Sequence, residues 1–196
     1  MARKDASFST GFYVHNLTIY TILLYGNQEQ RERLLPPYIN FEKIASFGLT
    51  EPDYGSAATF LQTTATKVEG GYRLNGEKYW IGNGTLGDCM VWARNEADDG
   101  KIQAFIVDGM SPGFYAKTIH DKLALRSVQN AHIKLDNVFV PDNNRLANVT
   151  NFENCTTVLT HSRCIVAWKA AGIAAGAYEA ALRYTLERQQ FFRPIA

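Results

Sequence analysis

Residues 62–82 read QTTATKVEGGYRLNGEKYWIG. Polar and apolar residues alternate along most of this stretch, and Gly70-Gly71 and Asn75-Gly76 interrupt it in the manner of hairpin breaks. The period of two sets in near Phe41 and governs the middle of the chain. Further strand-like runs follow at 88–94 (DCMVWAR), 102–108 (IQAFIVD), 114–119 (FYAKTI) and 132–140 (HIKLDNVFV), and Pro141-Asp142 closes the last. Turn signals recur every ten residues or so, which predicts an antiparallel β-barrel or sandwich.

On both sides the pattern is helical. Residues 5 to 25 form an apolar helix with Gly26 as its stop. Asn27 and Gln30 supply the two halves of a capping box for a second helix, QEQRERLL, which Pro36-Pro37 ends. From about residue 152 helix returns, and AWKAAGIAAGAYEAALRYTLERQQFF (167–192) reads as helix throughout. Gly172 and Gly176 stand one turn apart in it, which suits close helix packing through small side chains. The fold class is α+β: helices, a β unit, then a long helix.

The chain has 196 residues, 46% of them apolar, enough to bury roughly 70% of the unfolded surface. Lys+Arg number 20 against Asp+Glu 19. So balanced a chain has no general field to draw it onto nucleic acid or acidic lipid. The opening MARK followed by GFYVHNLTIYTILLYG imitates a signal peptide. His15, Asn16, Thr18 and Thr21 interrupt it, however, and it falls short of the ~20 apolar residues of a membrane span. It reads as a buried helix. Three scattered cysteines, Cys89, Cys155 and Cys164, and dispersed histidines offer no zinc spacing, and are expected to be buried free thiols in a reducing compartment. Four N-x-[ST] sequons, at Asn16, Asn83, Asn148 and Asn154, are expected to be coincidence without a secretory signal.

Two loops carry possible chemistry. GNGTLG (82–87) matches the dinucleotide-binding glycine pattern, but that motif needs a strand, a loop and then a helix. Here strand-like DCMVWAR follows, so the match is a decoy. FGLTEPDYGSA (47–57) carries hydroxyls at Thr50 and Ser56, and Gly55 permits close backbone approach to a ligand. Downstream, YWIGNG sets the indole of Trp80 beside a small-residue turn. Two readings stand on these residues alone: a surface for a flat heteroaromatic ring with polar edges, or a core tryptophan beside an ordinary turn.

TEPDYGS, GYRLNGEKYWIGNG, VFVPDNNRL and LERQQF occur in the same order and at similar spacing in the acyl-CoA dehydrogenase and oxidase family. The chain resembles that family along essentially its whole length, including ARKDAS and GNQEQRERLLP. WIGNG and LTEPDYGS with TTATKVEGG most resemble plant-type short-chain acyl-CoA oxidases, with glutaryl-CoA dehydrogenases close behind. The resemblance implies the end of an N-terminal helical domain at 1–42, a middle β domain at 43–150 and the first helix of a C-terminal helical bundle at 151–196. It implies FAD as cofactor, an acyl-CoA thioester as substrate, and α,β-dehydrogenation to trans-2-enoyl-CoA in fatty-acid or amino-acid catabolism. Electrons would pass to dioxygen in an oxidase or to an electron-transferring flavoprotein in a dehydrogenase, and the motifs lean towards the oxidase.

By the same resemblance Phe47, Leu49 and Thr50 line the flavin, Gly55 and Ser56 meet its pyrophosphate and the pantetheine arm, and Trp80, Ile81 and Gly82 run along the ring. Thr160, His161, Ser162 and Arg163 belong to acyl-CoA binding, with Arg163 the charged contact. Arg188, Gln190 and Phe191 reach the FAD of a neighbouring subunit, which implies a homo-oligomer, a dimer or tetramer. Three positions depart from the family. Ala57 stands where the family has aspartate. Phe192 replaces a glycine. Gly82 replaces a threonine of many dehydrogenases, which would leave room for dioxygen. The catalytic glutamate is expected beyond Ala196, so the chain reads as an inactive fragment and no catalytic residue is assigned. The competing reading is a truncated FAD- or acyl-CoA-binding protein without the base. An oxidase implies the peroxisome, a dehydrogenase the mitochondrial matrix.

Overall fold

The computed structural model describes residues 1–196. Helix α1 spans Ala6–Tyr25, and its N-cap Asp5 accepts a hydrogen bond from the Phe8 N–H at 2.7 Å. It stops at Gly26 as expected, but in extended rather than left-handed backbone. Helix α2 spans Gln28–Ile39 behind a capping box in which Asn27 and Gln30 hold each other's backbone N–H. Pro36 and Pro37 do not end it. They lie inside its last turn. Their carbonyls still accept, from the Asn40 and Lys43 N–H groups at 3.0 Å each, so the helix closes around them.

Seven strands follow: β1 Ala45–Gly48, β2 Thr64–Val68, β3 Gly71–Ile81, β4 Asp88–Asn95, β5 Lys101–Val107, β6 Phe114–Thr118 and β7 Ala131–Pro141. They make one curled sheet in the order β1-β4-β2-β3-β7-β6, with β5 on the other edge of β4. The sheet is not wholly antiparallel: β1 and β2 both run parallel to β4. β5 covers the length of β4 on one side, so β1 and β2 must share its opposite edge, β1 against Asp88–Val91 and β2 against Arg94–Asn95. Residues 49–63 are an excursion from that edge. Gly70 makes the expected hairpin between β2 and β3, whereas Asn75-Gly76 makes none. It is a register shift inside β3, where Gly76 has φ +142° and passes so close to Thr63 that a Cβ would lie 2.6 Å from its hydroxyl. GNGTLG joins β3 to β4 and opens no helix.

β4 is buried on both faces, so its side chains divide between two cores. Met90 and Trp92 join Leu17, Ile22, Leu34, Tyr38, Phe47 and Val158 beneath the helices. Cys89, Val91 and Ala93 join Leu74, Phe105, Ile133 and Val138 inside the curl. His15, buried in α1, accepts the Ala45 N–H on Nδ1 and donates from Nε2 to the Tyr38 carbonyl, pinning α1 and α2 to β1.

Helix α3 spans Phe152–Glu187, about 54 Å at 1.5 Å per residue. Its buried residues are Cys155, Val158 and Ser162, all in its first three turns, and further along Ile165, Trp168, Tyr178 and Leu182 are exposed. Gly172 and Gly176 do mark a close approach, but the partner is the N-terminal segment, the Ala2 methyl at Gly172 and the Arg3 backbone at Gly176, not another helix. The Arg3 guanidinium meets Glu179 beside it. The helix does not continue to Phe192. Gln189–Gln190 (β8) and Arg193–Pro194 (β9) form a small hairpin, with Phe191 and Phe192 at its tip in left-handed backbone. No helix is long and apolar enough to cross a membrane.

Candidate functional site

Two segments singled out in the sequence meet at one surface. The excursion 49–63 carries TEPDYGSA, and the end of β3 carries Lys78 to Ile81. A group that the sequence reading passed over holds them together. Lys78 is wholly buried and donates to Glu51 Oε1 at 2.8 Å and to the Leu49 carbonyl at 3.2 Å. Glu51 Oε1 also accepts from the Thr63 N–H at 2.9 Å and the Thr63 hydroxyl at 2.5 Å, and Oε2 accepts from the Gln62 N–H at 2.6 Å. One carboxylate thus ties both ends of the excursion to β3. Burial by itself would raise the Glu51 carboxyl, but the Lys78 ammonium and these donors hold it below the usual range. Burial pushes Lys78 down from its ordinary value, opposed by Glu51. Arg94 fastens the far part of the excursion, donating at 2.7 Å to the carbonyls of Leu61 and Thr59. A signal was there to be read: Tyr72, Leu74 and Lys78 share one parity of β3. A lysine on an inward-facing parity needs a buried acid.

Trp80 has the same parity and would also point inward. A register shift between Lys78 and Ile81 turns it out, with φ +62° and 53% of its surface exposed. A bulky residue in left-handed backbone is an uncommon, costly arrangement, and such strain clusters at functional sites. Asn130 donates from Nδ2 to the Trp80 carbonyl at 2.9 Å, and the Tyr79 N–H donates to the Thr50 carbonyl at 2.8 Å. Thr50 therefore sits beside the residue that precedes the indole. The core-tryptophan reading is excluded for Trp80, since Trp92 holds that place, 5.9 Å from the ring of Phe47.

The other candidate residues divide by burial. Phe47, Leu49 and Ile81 are packed into the two cores beneath this surface, so they support it from below. Gly55 and Ser56 are exposed on the excursion, and the position of a Gly55 Cβ is open space. Gly82 is buried, and a Cβ there would stand 3.2 Å from Val14 Cγ2 and 3.5 Å from Val128 Cγ1. Thr160, His161 and Arg163 are exposed on α3, while Ser162 is buried and donates to the Leu159 carbonyl at 2.6 Å. His161 Nδ1 lies 2.7 Å from the Tyr20 hydroxyl. Both border a cavity of about 390 Å³ between α1 and α3, lined mainly by apolar groups such as Leu17, Leu23 and Ile165. Arg188, Gln190 and Phe191 belong to another part of the chain. They lie, exposed, at and past the end of α3, about 39 Å along the helix from Ser162. Of the cysteines, Cys89 and Cys155 are buried as expected, but Cys164 is exposed.

An exposed indole with a threonine close by suits one face of a flat heteroaromatic ring. No metal-type donor cluster competes for that role.

Comparison with known proteins gives a consistent picture. Residues 1–42 match the acyl-CoA dehydrogenase N-terminal domain and residues 46–138 the acyl-CoA dehydrogenase middle domain. An acyl-CoA dehydrogenase of Bacillus subtilis is 38% identical over 89% of this chain and 47% of its own length. The mitochondrial isovaleryl-CoA dehydrogenase of Solanum tuberosum is 32% identical over 100% of this chain and 48% of its own. A glutaryl-CoA dehydrogenase of Mycobacterium smegmatis, solved in complex with FADH2, superposes with a TM-score of 0.92 at 34% identity, over 98% of this chain and 50% of that one. The chain spans about half the length of the curated relatives it matches. These relatives are named as dehydrogenases, so the oxidase lean of the motifs, and the peroxisomal expectation attached to it, lose their support.

Proposed function

This chain belongs to the acyl-CoA dehydrogenase family, and on that premise we propose that it carries one half of an FAD-dependent enzyme for the α,β-dehydrogenation of acyl-CoA thioesters to trans-2-enoyl-CoA. The observation that carries the reading is the outward-turned Trp80 beside the fastened excursion 49–63. FAD, when bound, would supply the acceptor for the hydride leaving the substrate's β-carbon.

In this reading Trp80 presents its indole to the ring and Thr50 offers a hydroxyl to the ring's polar edge. Gly55 and Ser56 supply backbone amides and a hydroxyl to phosphate and pantetheine groups. Phe47, Leu49, Ile81 and Gly82 keep the surface flat and dry from beneath. Arg163, exposed on α3 with Thr160, His161 and Ser162 around it, is the cation for the CoA phosphates, a task that a fixed multi-donor guanidinium suits. Arg188, Gln190 and Phe191, exposed at and past the end of α3, serve a second copy of the chain in a homo-oligomer, as the family resemblance implies. Residues 1–42, 43–150 and 151–196 are the end of a helical domain, the β domain and the opening of a helical bundle. The electron acceptor is an electron-transferring flavoprotein rather than dioxygen, in keeping with relatives that are named as dehydrogenases. A mitochondrial or bacterial cytoplasmic setting fits such an enzyme.

The test uses the native protein that carries these residues. Flavin absorbance after reconstitution with FAD, and its anaerobic bleaching by a panel of acyl-CoAs, are the readouts. Bleaching by at least one thioester is the expected result. Failure to retain FAD, or retention with no bleaching by any thioester, would overturn the reading, and the second outcome would favour a non-catalytic binding protein.

A further inference from the structure

We propose that Lys122 is a positioning residue for Trp80, acting through Asn130. The proposal rests on the reading of Trp80 as the cofactor's plate and adds to it what holds that plate in place. Residues 119–130 connect β6 to β7 and contain no regular element. They fold around one ammonium. Lys122 Nζ donates to the Leu125 carbonyl at 2.8 Å, the Val128 carbonyl at 2.5 Å and Asn130 Oδ1 at 2.7 Å. All three of its donors are used, on three acceptors of one loop. Leu125 is held in left-handed backbone, φ +51°, at the first of these contacts.

The last contact fixes the amide of Asn130. With Oδ1 taken by the ammonium, Nδ2 faces the other way and donates to the Trp80 carbonyl at 2.9 Å. A free asparagine could present either end of its amide, but one whose oxygen is bound to a cation cannot flip without losing a charge-assisted bond. The loop touches the same site a second time. Val128, whose carbonyl also binds Lys122, places Cγ1 where a Gly82 Cβ would meet it at 3.5 Å. Lys122 therefore organises both the hydrogen bond that holds Trp80 in its strained conformation and the side chain packed beside Gly82. Strain of this kind persists only where the surroundings over-determine it. The register shift fixes one side of Trp80, and the Lys122–Asn130 pair fixes its carbonyl.

Three substitutions in the native protein separate this role from simple loop stability. Asn130→Asp keeps a partner for Lys122 but replaces the donor to Trp80 with an acceptor. Lys122→Met removes the ammonium, and Lys122→Arg restores the charge and donors. The first readout is the 19F resonance of Trp80 in apo protein labelled with fluorotryptophan, identified by its loss in Trp80→Phe. The second is FAD affinity. Asn130→Asp and Lys122→Met are expected to shift or broaden the Trp80 resonance and leave the other tryptophan resonances in place. Both should weaken FAD binding by about tenfold or more, as the loss of a hydrogen bond to a strained group warrants, and Lys122→Arg should recover most of it. A Trp80 resonance unmoved by Asn130→Asp would overturn the proposal. So would a resonance that moves while FAD affinity stays within about twofold of the parent. If the parent itself binds no FAD, the assignment of function fails, and the resonance in apo protein still decides whether the pair holds Trp80.

Discussion

Lys78 Nζ lies 2.8 Å from Glu51 Oε1, in a pair whose side chains are 0% and 5% exposed. Breaking a buried pair leaves an uncompensated charge, at a cost of about 3–5 kcal/mol, whereas replacing both partners by well-packed apolar groups of similar volume is often close to neutral. Lys78→Met is therefore expected to destabilise the protein by about 3–5 kcal/mol in denaturant titration, and the double variant Lys78→Met/Glu51→Gln to recover at least half of the loss. A double variant no better than the single would show that the bonds of Glu51 to Gln62 and Thr63, not the unpaired charge, set the loss.

The same pair sets an acid limit. Although burial alone would raise it, the Lys78 ammonium and the Thr63 and Gln62 donors hold the folded-state Glu51 carboxyl below its ordinary value of 4.5. A depressed carboxyl adds stability that is complete above the unfolded value and is lost as pH falls through the folded one. Stability attributable to Glu51 should be flat above about pH 5 and fall below about 4.5. Glu51→Gln should flatten that part of the profile, measured as the denaturation midpoint against pH.

Trp80 occupies a conformation that glycine adopts freely. Strain of about 1–3 kcal/mol is expected at such a residue, so Trp80→Gly should leave the thermal midpoint unchanged or raise it while weakening FAD binding. A clear fall in stability would mean that the half-exposed ring contributes more packing than its exposure suggests.

Burial pushes the Cys89 thiol up to about 11 and Cys155 up to about 12. Neither presents a thiolate at neutral pH, and neither is accessible. Cys164 should be the first of the three to react with a thiol-specific chromogenic reagent, with Cys89 and Cys155 reacting only on unfolding. Peptide mapping of the labelled protein would read this directly.

Much of this architecture could be read from residue pattern. The capping box at Asn27 and Gln30, the strands after Asp88 and the helix after residue 152 follow local rules of period and capping, and local rules are what a single sequence carries. The misreadings fall where backbone geometry departs from the local signal. Pro36-Pro37 looks like a stop, but carbonyl acceptors at the helix end absorb it. Asn75-Gly76 looks like a turn, but β7 pairs on either side and makes it a bulge. Phe191-Phe192 continues a helical composition, yet the chain turns there in a backbone that phenylalanine rarely adopts. At the candidate site Thr50 and Trp80 were legible as chemistry beside small-residue turns. Lys122 and Asn130 were not, because nothing in the sequence around them signals a contact with a residue some fifty positions earlier.

The pairing of β3 with β7 spans Gly71↔Pro141 to Ile81↔Ala131, and it bears on synthesis as well as on the finished molecule. Until β7 has left the ribosome, β3 has a partner on one side only, and its other edge offers unpaired amides to any strand nearby. The interval from residue 81 to residue 141 lasts about 3–12 s at 5–20 residues per second. During that time the nascent chain is open to pairing with a neighbour on the same message. Lys78, destined for the interior, sits on that edge while Glu51 is already available to it. Early capture of that charge would draw the waiting strand towards its own loop and away from foreign strands.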